Sequence, residues 1–222
     1  MQAVLITGVG KGIGKALAQK FLQEGFFVIG TFLTGRPEPQ ESLKDFSLDL
    51  SSSASIASCV QAITNFGRTL DVLVNCAGVL LDEDEVATVP EKLRQTLEVN
   101  LVGVVDFTER LIPLMKEGGH IVNISSTAGS LALTGEHASH FEGRYPAYKI
   151  SKAALNMYTA TLAKRLAPAV TVSSVHPGWV KTDMGGQDAD LTPEQAAEGI
   201  YGVAMSRPAT GGFWFAGQRV PW

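Results

Sequence analysis

The stretch ITGVGKGIGKALA, residues 6–18, lies where a strand-like pattern meets a helix-like pattern. It contains the spaced glycines Gly8, Gly12 and Gly14. Residues 3–8 are apolar and β-branched, which predicts a buried strand, and residues 13–25 have apolar side chains at helical spacing. Glycine permits a tight turn and lets backbone N–H groups approach a phosphate at the N-terminus of the following helix. The stretch therefore predicts a nucleotide-binding turn, and the alternative is a purely structural turn.

The rest of the chain continues this alternation of short apolar runs and longer amphipathic segments. The predicted strands cover 3–8, 26–33, 70–78, 120–126, 170–178 and 211–217. The predicted helices cover 13–25, 52–67, 89–119, 147–168 and 192–206, the third being one long helix with a bend near Pro113. Alternating strands and helices predict an α/β fold, with a doubly wound parallel sheet covered by helices on both faces. We expect one domain over residues 1–222, with its ligand at the carboxyl edge of the sheet.

The composition and the N-terminal segment indicate which partners and which cellular location to expect. The net charge of -4 gives no reason to expect nucleic acid or an anionic membrane. The start, MQAVLITGVGKGIG, lacks the basic residues and long apolar run of a signal peptide, and no run is long enough to span a bilayer. Cys59 and Cys76 show no metal-ligand spacing. The sequence thus predicts a cytoplasmic protein with reduced thiols, no bound metal and no membrane partner.

The segment YPAYKISKAALN contains two tyrosines that each stand four residues before a lysine, Tyr145 before Lys149 and Tyr148 before Lys152. Residues four apart share a helix face. Pro146 disfavours a helical conformation at Tyr145 but is itself suited to a first helical turn. We therefore predict that Tyr148 and Lys152 lie together on the helix as a phenol proton donor and its neighbouring ammonium. The alternative is a surface contact of the kind common on helices.

With YKISK and NISS added to the glycine turn, the chain resembles the short-chain dehydrogenase/reductase family, and most closely its small carbonyl-reductase-like bacterial members. The resemblance covers nearly the whole chain in the right order: the TGxxxGxG spacing, NCAG at 75–78 where the family has NNAG, and the Pro-Gly turn at 177–178. It implies a Rossmann-like fold, a nicotinamide dinucleotide and a small carbonyl substrate. It also implies a homodimer or homotetramer that packs through helices 89–115 and 147–167, although their apolar residues could equally be buried within the monomer.

The resemblance also implies the roles of individual residues. Tyr148 would protonate the substrate oxygen, and Lys152 would hold the ribose of the nicotinamide half. Ser126 would steady the carbonyl oxygen; Ser125 remains the alternative, because neighbours on a strand point to opposite faces. Asn100 would hold a relay water, or else make a structural hydrogen bond. The implied cofactor-binding residues are Gly8, Lys11, Gly12, Ile13, Gly14, Arg36, Asp49, Leu50, Asn75, Ala77, Gly78, Tyr148, Lys152, Pro177, Gly178, Val180 and Thr182.

The choice of dinucleotide depends on the end of the second strand. A carboxylate there would hold the ribose 2′-hydroxyl of NAD, but the position falls near Phe32, where the sequence GTFLTGR has no acid. Lys11 in the glycine turn and Arg36 after the strand could neutralise the 2′-phosphate of NADP. The sequence predicts NADP(H) as cofactor. In the alternative reading, both bases are only solvated surface charges.

Two further features concern the site. Because an adjacent ammonium favours the phenolate, we expect Lys152 to lower the pKa of Tyr148. The loop at 127–147 is longer than in the family, and its His137, His140 and Phe141 either line the substrate mouth or lie on the surface. The short segment 181–195 predicts an open pocket that accepts varied carbonyl compounds.

The sequence thus predicts an NADPH-dependent oxidoreductase that reduces aldehydes or ketones. One alternative is a dinucleotide-binding regulatory or signalling protein with little turnover. The serine, tyrosine and lysine set argues against it, because a sensor needs no proton donor. The other alternative is a reductase dedicated to a 3-oxoacyl thioester or to a sugar ketone.

Overall fold

A computed structural model describes residues 1–133 and 143–222, and its centre is a single eight-stranded sheet. The strands are β1 (Ala3–Thr7), β2 (Phe27–Phe32), β3 (Leu43–Ser47), β4 (Leu70–Asn75), β5 (Met115–Ile124), β6 (Val170–Val175), β7 (Gly212–Phe215) and β8 (Gln218–Val220). Their spatial order is β3-β2-β1-β4-β5-β6-β7-β8. Neighbouring strands from β3 to β7 are parallel, and β8 alone pairs antiparallel with β7. The predicted α/β fold with a doubly wound parallel sheet is confirmed.

The helices connect the parallel strands across both faces. They are α1 (Gly12–Gln23), α2 (Ser53–Phe66), α3 (Pro90–Leu97), α4 (Gly103–Leu111), α5 (Pro146–Leu166) and α6 (Pro193–Ser206). Local interactions determine where each helix begins and ends. For example, the Ser52 side chain accepts a hydrogen bond from the backbone N–H of Ser55 at the start of α2. Gly67 ends the same helix in the left-handed conformation, with φ of 76°.

The two faces of the sheet carry separate apolar cores. Leu5, Leu73 and Ile121 point to the face covered by α2, α4 and α5, where Phe107 is fully buried. Val4, Val74 and Val122 point to the opposite face, which is covered by α1 and α6. Successive residues of one strand point to opposite faces, so strands buried on both sides read as continuous apolar runs.

The predicted helix over 89–119 is wrong. The helical part consists of α3, a π-helical segment at Glu98–Val102, α4 and a short 3-10 turn at Ile112–Leu114 that contains Pro113. Residues 115–119 already belong to β5. They are part of a strand because Met115 pairs with Leu70 of β4, before a register shift in the ladder.

Two edge strands, β3 and β8, are absent from the sequence prediction. His137, His140 and Phe141, predicted either to line the substrate mouth or to lie on the surface, are outside the described residues. Among the helices of residues 1–133 and 143–222, none combines the length and the apolar character that a membrane crossing requires.

Candidate active site

The predicted motifs meet at one edge of the sheet. Strands β1, β4, β5 and β6 are parallel and adjacent, so their carboxyl ends lie side by side. The glycine turn follows β1, the NCAG turn follows β4, the two serines follow β5, and the Pro-Gly turn follows β6. Parallel topology thus brings together segments far apart in sequence.

The glycine turn has a backbone conformation that requires glycine. Gly8 has a φ of 80°, and a Cβ at Gly14 would lie 2.2 Å from the carbonyl oxygen of Gly8, so the chain needs glycine at both places. Lys11 is the N-cap of α1, but its side chain makes no capping hydrogen bond. The first N–H groups of a helix have no intrahelical partner, so this helix end can bind an anion. Ile13 lies in the same first turn.

The predicted base Lys11 has a partner across the site. Its Nζ lies 2.7 Å from Asp183 Oδ2, and both side chains are largely exposed. Beside this ion pair, a Cβ at Gly12 would lie 3.2 Å from Cγ2 of Thr182. The segment after the Pro-Gly turn therefore lies directly against the glycine turn, and the carboxylate of Asp183 offsets the positive charge that Lys11 would offer a cofactor phosphate.

The second predicted base, Arg36, also faces a carboxylate. Its Nε donates a hydrogen bond to Asp45 Oδ2 at 2.7 Å, and Asp45 lies on the edge strand β3. The pairing raises the pKa of Arg36. The strand β2 ends at Phe32, one residue before the predicted end at residue 33, and Phe32 carries no acid. The carboxylate of Asp45, on the neighbouring strand β3, is instead paired with Arg36.

The NCAG turn is held by a residue that the sequence prediction omitted. Thr7 Oγ1 accepts hydrogen bonds from the backbone N–H groups of Cys76 and Ala77 at 2.9 and 3.0 Å. Asn75, predicted to bind the cofactor, is buried, and its Nδ2 donates to Thr108 Oγ1 and to Asn123 Oδ1, both at 2.8 Å. The Asn75 side chain therefore makes these hydrogen bonds inside the protein. The signal for Thr7 is its place immediately before the first glycine.

Tyr148, Ser126 and Lys152 lie together at the start of α5. The Ser126 side chain lies near that of Tyr148, where it acts to lower the pKa of the phenol, and Lys152 Nζ lies 5.5 Å from the centroid of the Tyr148 ring. Lys152 is buried, and its Nζ donates a hydrogen bond to the carbonyl oxygen of Ile124 at 2.9 Å. The Ser125 hydroxyl faces away from this group, towards the carbonyl oxygen of Lys152 at 3.4 Å.

Burial sets the pKa values of this group. It raises the pKa of Tyr148 to about 12, and the nearby Ser126 side chain opposes this shift without cancelling it. It lowers the pKa of Lys152 to about 8, an effect that the neighbouring Cys76 opposes. The expectation that Lys152 lowers the pKa of Tyr148 is therefore wrong for the protein alone, because desolvation of the phenolate dominates. Burial also raises the pKa of the Cys76 thiol to about 12, so that thiol is neutral near pH 7.

Tyr145 lies outside the helix that carries Tyr148. It is the N-cap of α5 with a φ of 61°, and Pro146 is the first helical residue. The φ lies in the left-handed region, which non-glycine residues rarely adopt. The proline thus separates the two tyrosines as the sequence predicts, and Ser126 contacts Tyr148.

Asn100 makes the structural hydrogen bonds that the sequence left as an alternative. It lies in the π-helical segment, its Oδ1 accepts from the N–H of Val79 at 2.8 Å, and its Nδ2 donates to the carbonyl of Val79 at 2.9 Å. Nδ2 also donates to Ser151 Oγ at 3.1 Å, and Ser151 in turn donates to the carbonyl of Tyr148. A Cβ at Gly78 would lie within 4 Å of both Asn100 Oδ1 and Lys152 Nζ. The space that this glycine leaves lies between the two polar groups.

The remaining predicted cofactor residues flank this centre. Asp49 follows β3 and accepts hydrogen bonds from the N–H and the hydroxyl of Ser51, which lower its pKa. Leu50 is buried beside it. Gly178 has a φ of 88°, and Val180 forms a bridge to Leu191 in the segment beyond Pro177. No group of three or more potential metal ligands occurs among residues 1–133 and 143–222.

Comparison with known proteins places the chain in a family. The short chain dehydrogenase family model matches residues 2–191, so the chain belongs to that family. The chain is 31% identical over 221 residues to 1-hydroxy-2-glutathionyl-2-methyl-3-butene dehydrogenase of Rhodococcus sp. (strain AD45), covering 96% of this chain and 95% of that one. The resemblance inferred from the motifs is thereby confirmed.

Solved structures share the fold over the full length. A short-chain dehydrogenase/reductase from Burkholderia multivorans with bound NADP is 27% identical, with a TM-score of 0.87 and coverage of 100% of this chain and 99% of that chain. The carbonyl reductase Sniffer of D. melanogaster is 26% identical, with a TM-score of 0.86 and full coverage of both chains. The sheet and helices described above therefore form the fold of short-chain dehydrogenases.

Proposed function

We propose that the chain is an NADPH-dependent oxidoreductase that reduces aldehyde and ketone carbonyls to alcohols. The observation that carries the proposal is the placement of Tyr148 near Ser126 and beside the buried Lys152, whose Nζ lies 5.5 Å from the centroid of the Tyr148 ring. A phenol, a hydroxyl and an ammonium close together at the carboxyl edge of the sheet can provide a proton donor and a hydrogen-bond donor for one substrate oxygen.

Several residues fit a nicotinamide dinucleotide. The first turn of α1 offers backbone N–H groups to the pyrophosphate, and Lys152 has ammonium protons left for a ribose hydroxyl after its one bond to Ile124. NADPH is favoured over NADH because β2 ends without an acid and Lys11 lies at the glycine turn. The similar Burkholderia protein with bound NADP supports this choice. When bound, this cofactor would supply the hydride.

The residues of the chain would then transfer a proton to the substrate oxygen. Ser126 donates a hydrogen bond to the carbonyl oxygen, and the developing alkoxide takes the proton from Tyr148. An alkoxide is a stronger base than a phenolate, so the transfer is favourable even from a phenol whose pKa burial raises to about 12. Lys152, with a pKa of about 8, is mostly protonated at pH 7 and stabilises the phenolate that remains. The space at Gly78 offers a place for the water that would return a proton past Lys152.

The test compares two tyrosine variants over a panel of aldehydes, ketones and diketones, with NADPH and NADH measured in parallel. Tyr148→Phe should bind NADPH normally and lose about 10²- to 10⁴-fold in turnover, the usual contribution of a general acid. Tyr145→Phe is the matched control and should keep most of its activity. Full activity of Tyr148→Phe would overturn the proposed proton donor. Tight NADPH binding without turnover of any compound would favour a regulatory role instead.

We further propose that the enzyme is cytoplasmic and assembles as a homodimer or homotetramer through the surface of α4 and α5. Met157 on α5 is 66% exposed, and Val102 in the π-helical segment is 48% exposed. Burying such side chains between subunits would remove apolar surface from water. Light scattering during size-exclusion chromatography tests the assembly, and a monomer at micromolar concentration would contradict it.

A further inference from the structure

A buried carboxylate outside the predicted site holds the start of α5. Asp82 lies in the loop between β4 and α3 and is 1% exposed. Its Oδ2 accepts a hydrogen bond from the backbone N–H of Ala147 at 2.6 Å. Its Oδ1 has no hydrogen-bond partner within the described part of the chain. The contact with Ala147 is therefore the main interaction that the described structure gives this carboxylate.

The start of α5 needs this contact. The N–H groups of a first helical turn have no intrahelical acceptor. Tyr145 makes no capping hydrogen bond with its side chain, and Pro146 has no N–H. Ala147 is thus the first residue of α5 with a donor to satisfy, and it is fully buried. A carboxylate is the favourable partner there, since it also interacts well with the positive end of the helix dipole.

The same loop holds the preceding residue as well. The backbone N–H of Tyr145 donates to the carbonyl oxygen of Glu85 at 3.2 Å. Two consecutive backbone donors at the entrance of α5, those of Tyr145 and Ala147, are therefore held by the segment that follows the NCAG turn. Tyr148 is the next residue after Ala147, so this segment controls where its hydroxyl lies relative to Ser126.

We propose that Asp82 is a positioning residue for Tyr148. Burying a carboxylate costs free energy, so a helix end that needed only stability would be served as well by a neutral cap. A charge-assisted hydrogen bond is shorter and stronger than a neutral one, and it fixes the helix along its axis. Misplacement of a reacting group by about 1 Å can reduce turnover by about 10²-fold. This inference rests on the proposed role of Tyr148 as proton donor.

The experiment compares Asp82→Ala and Asp82→Asn with Glu85→Gln. The control changes a carboxylate to an amide in the same loop, where the side chain of Glu85 pairs with Lys92 at 2.6 Å and the residue accepts from Tyr145 through its backbone carbonyl. Two quantities are measured well below the melting temperature. The first is kcat per NADPH-binding site, counted by fluorescence titration. The second is backbone hydrogen exchange of the peptide that begins α5.

We expect Asp82→Ala to lower kcat per binding site by about 10-fold or more while the Kd for NADPH changes by less than about 3-fold, because the glycine turn is untouched. Exchange at the start of α5 should accelerate. Asp82→Asn keeps an acceptor without its charge, so about 5-fold faster exchange and a partial loss of kcat are expected. Glu85→Gln should match the wild type in both quantities. If the alanine variant does not fold, the asparagine variant provides the same two readouts.

A purely structural role predicts a different result. The variants would melt at lower temperature, but each molecule that still binds NADPH would turn over at the wild-type rate, and that outcome would overturn the inference. Unchanged exchange at the start of α5 would overturn it as well. The two proposals fail separately: an active Tyr148→Phe variant refutes the proton donor, whereas an inactive one combined with wild-type kcat in both Asp82 variants refutes only the role of Asp82.

Discussion

Lowering the pH from 7.5 to 5 should destabilise the protein through one histidine. His120 on β5 is fully buried, its Nδ1 lies 2.9 Å from the carbonyl oxygen of Ala204, and its Nε2 lies 2.9 Å from Ser173 Oγ. A carbonyl can only accept, so Nδ1 carries the proton and Nε2 accepts from the serine. Burial lowers the pKa of His120 to about 4, and the positive charge of Arg207 acts in the same direction.

The sign and size follow from proton linkage. Between pH 6.5, the ordinary pKa of histidine, and pH 4, the unfolded chain binds a proton that the folded protein does not, so stability falls as the pH falls. Each pH unit in this window costs about 1.4 kcal/mol, which gives a loss of about 2 kcal/mol between pH 7.5 and 5. Domains of this kind have a total free energy of unfolding of about 5–15 kcal/mol, so the loss is readily measured.

The assay is urea unfolding at the two pH values for the wild type and His120→Asn. The variant keeps an amide donor for the carbonyl of Ala204 but cannot titrate. It should be less stable than the wild type at pH 7.5, and its remaining pH dependence should be smaller by about 2 kcal/mol. Most carboxylates stay ionised above pH 5, so they contribute little to the difference. An equal loss in both proteins would refute the argument from the burial of His120.

Three further outcomes are expected. Gly14→Ala should lower the melting temperature by about 3–10 °C and weaken NADPH binding, because its Cβ would lie 2.2 Å from the carbonyl oxygen of Gly8. The control is Gly199→Ala, where no atom lies within 4 Å, and this variant should melt at or above the wild-type temperature. Similar losses in both variants would contradict the steric argument. The kcat/KM for carbonyl reduction should fall as the pH rises through about 8, because Lys152 loses its proton there; a flat profile up to pH 10 would contradict this. Lys11→Met should weaken NADPH binding by about 10-fold and leave NADH binding nearly unchanged in fluorescence titrations, whereas equal effects on both cofactors would exclude a contact with the 2′-phosphate.

The central fold was predictable because its strands are buried on both faces. Residues 3–8, 70–78 and 170–178 are rich in β-branched and other apolar residues and end at small or turn residues, and the structure has strands in each. The edge strand β3 gave no such signal: its sequence LKDFS is partly exposed at every position. An edge strand is stabilised mainly by pairing with its neighbour, which a local pattern does not reveal.

The error at 89–119 has a related cause. The apolar residues up to Met115 follow a helical spacing, but the backbone of Met115 pairs with β4, at Leu70. A long-range strand partner thus overrides a local helical preference. The π-helical segment around Asn100 was equally hidden, because its extra residue per turn leaves no mark in the apolar pattern.

The sequence motifs of the candidate site were predictable, whereas the long-range contacts and the pKa values of its residues were less so. The proline argument separates Tyr145 from Tyr148 because it depends on a local steric rule. The contact of Lys11 with Asp183 and that of Ala147 with Asp82 join residues far apart in the chain, so only the fold reveals them. The pKa of Tyr148 depends on how many atoms surround its hydroxyl, which no spacing of residues can supply.

The buried amides and hydroxyls behind the site also have a consequence for how the sheet assembles. Asn75 pairs with Asn123 across β4 and β5, and Asn123 pairs with Ser174 across β5 and β6. Their side chains are connected by a chain of hydrogen bonds that runs through Thr159 on α5. Sliding one strand by a single residue would bury these groups without partners, at about 1–3 kcal/mol for each. These hydrogen bonds therefore fix the strand register. The apolar strands could pair in several registers, but only one of them satisfies the buried polar groups.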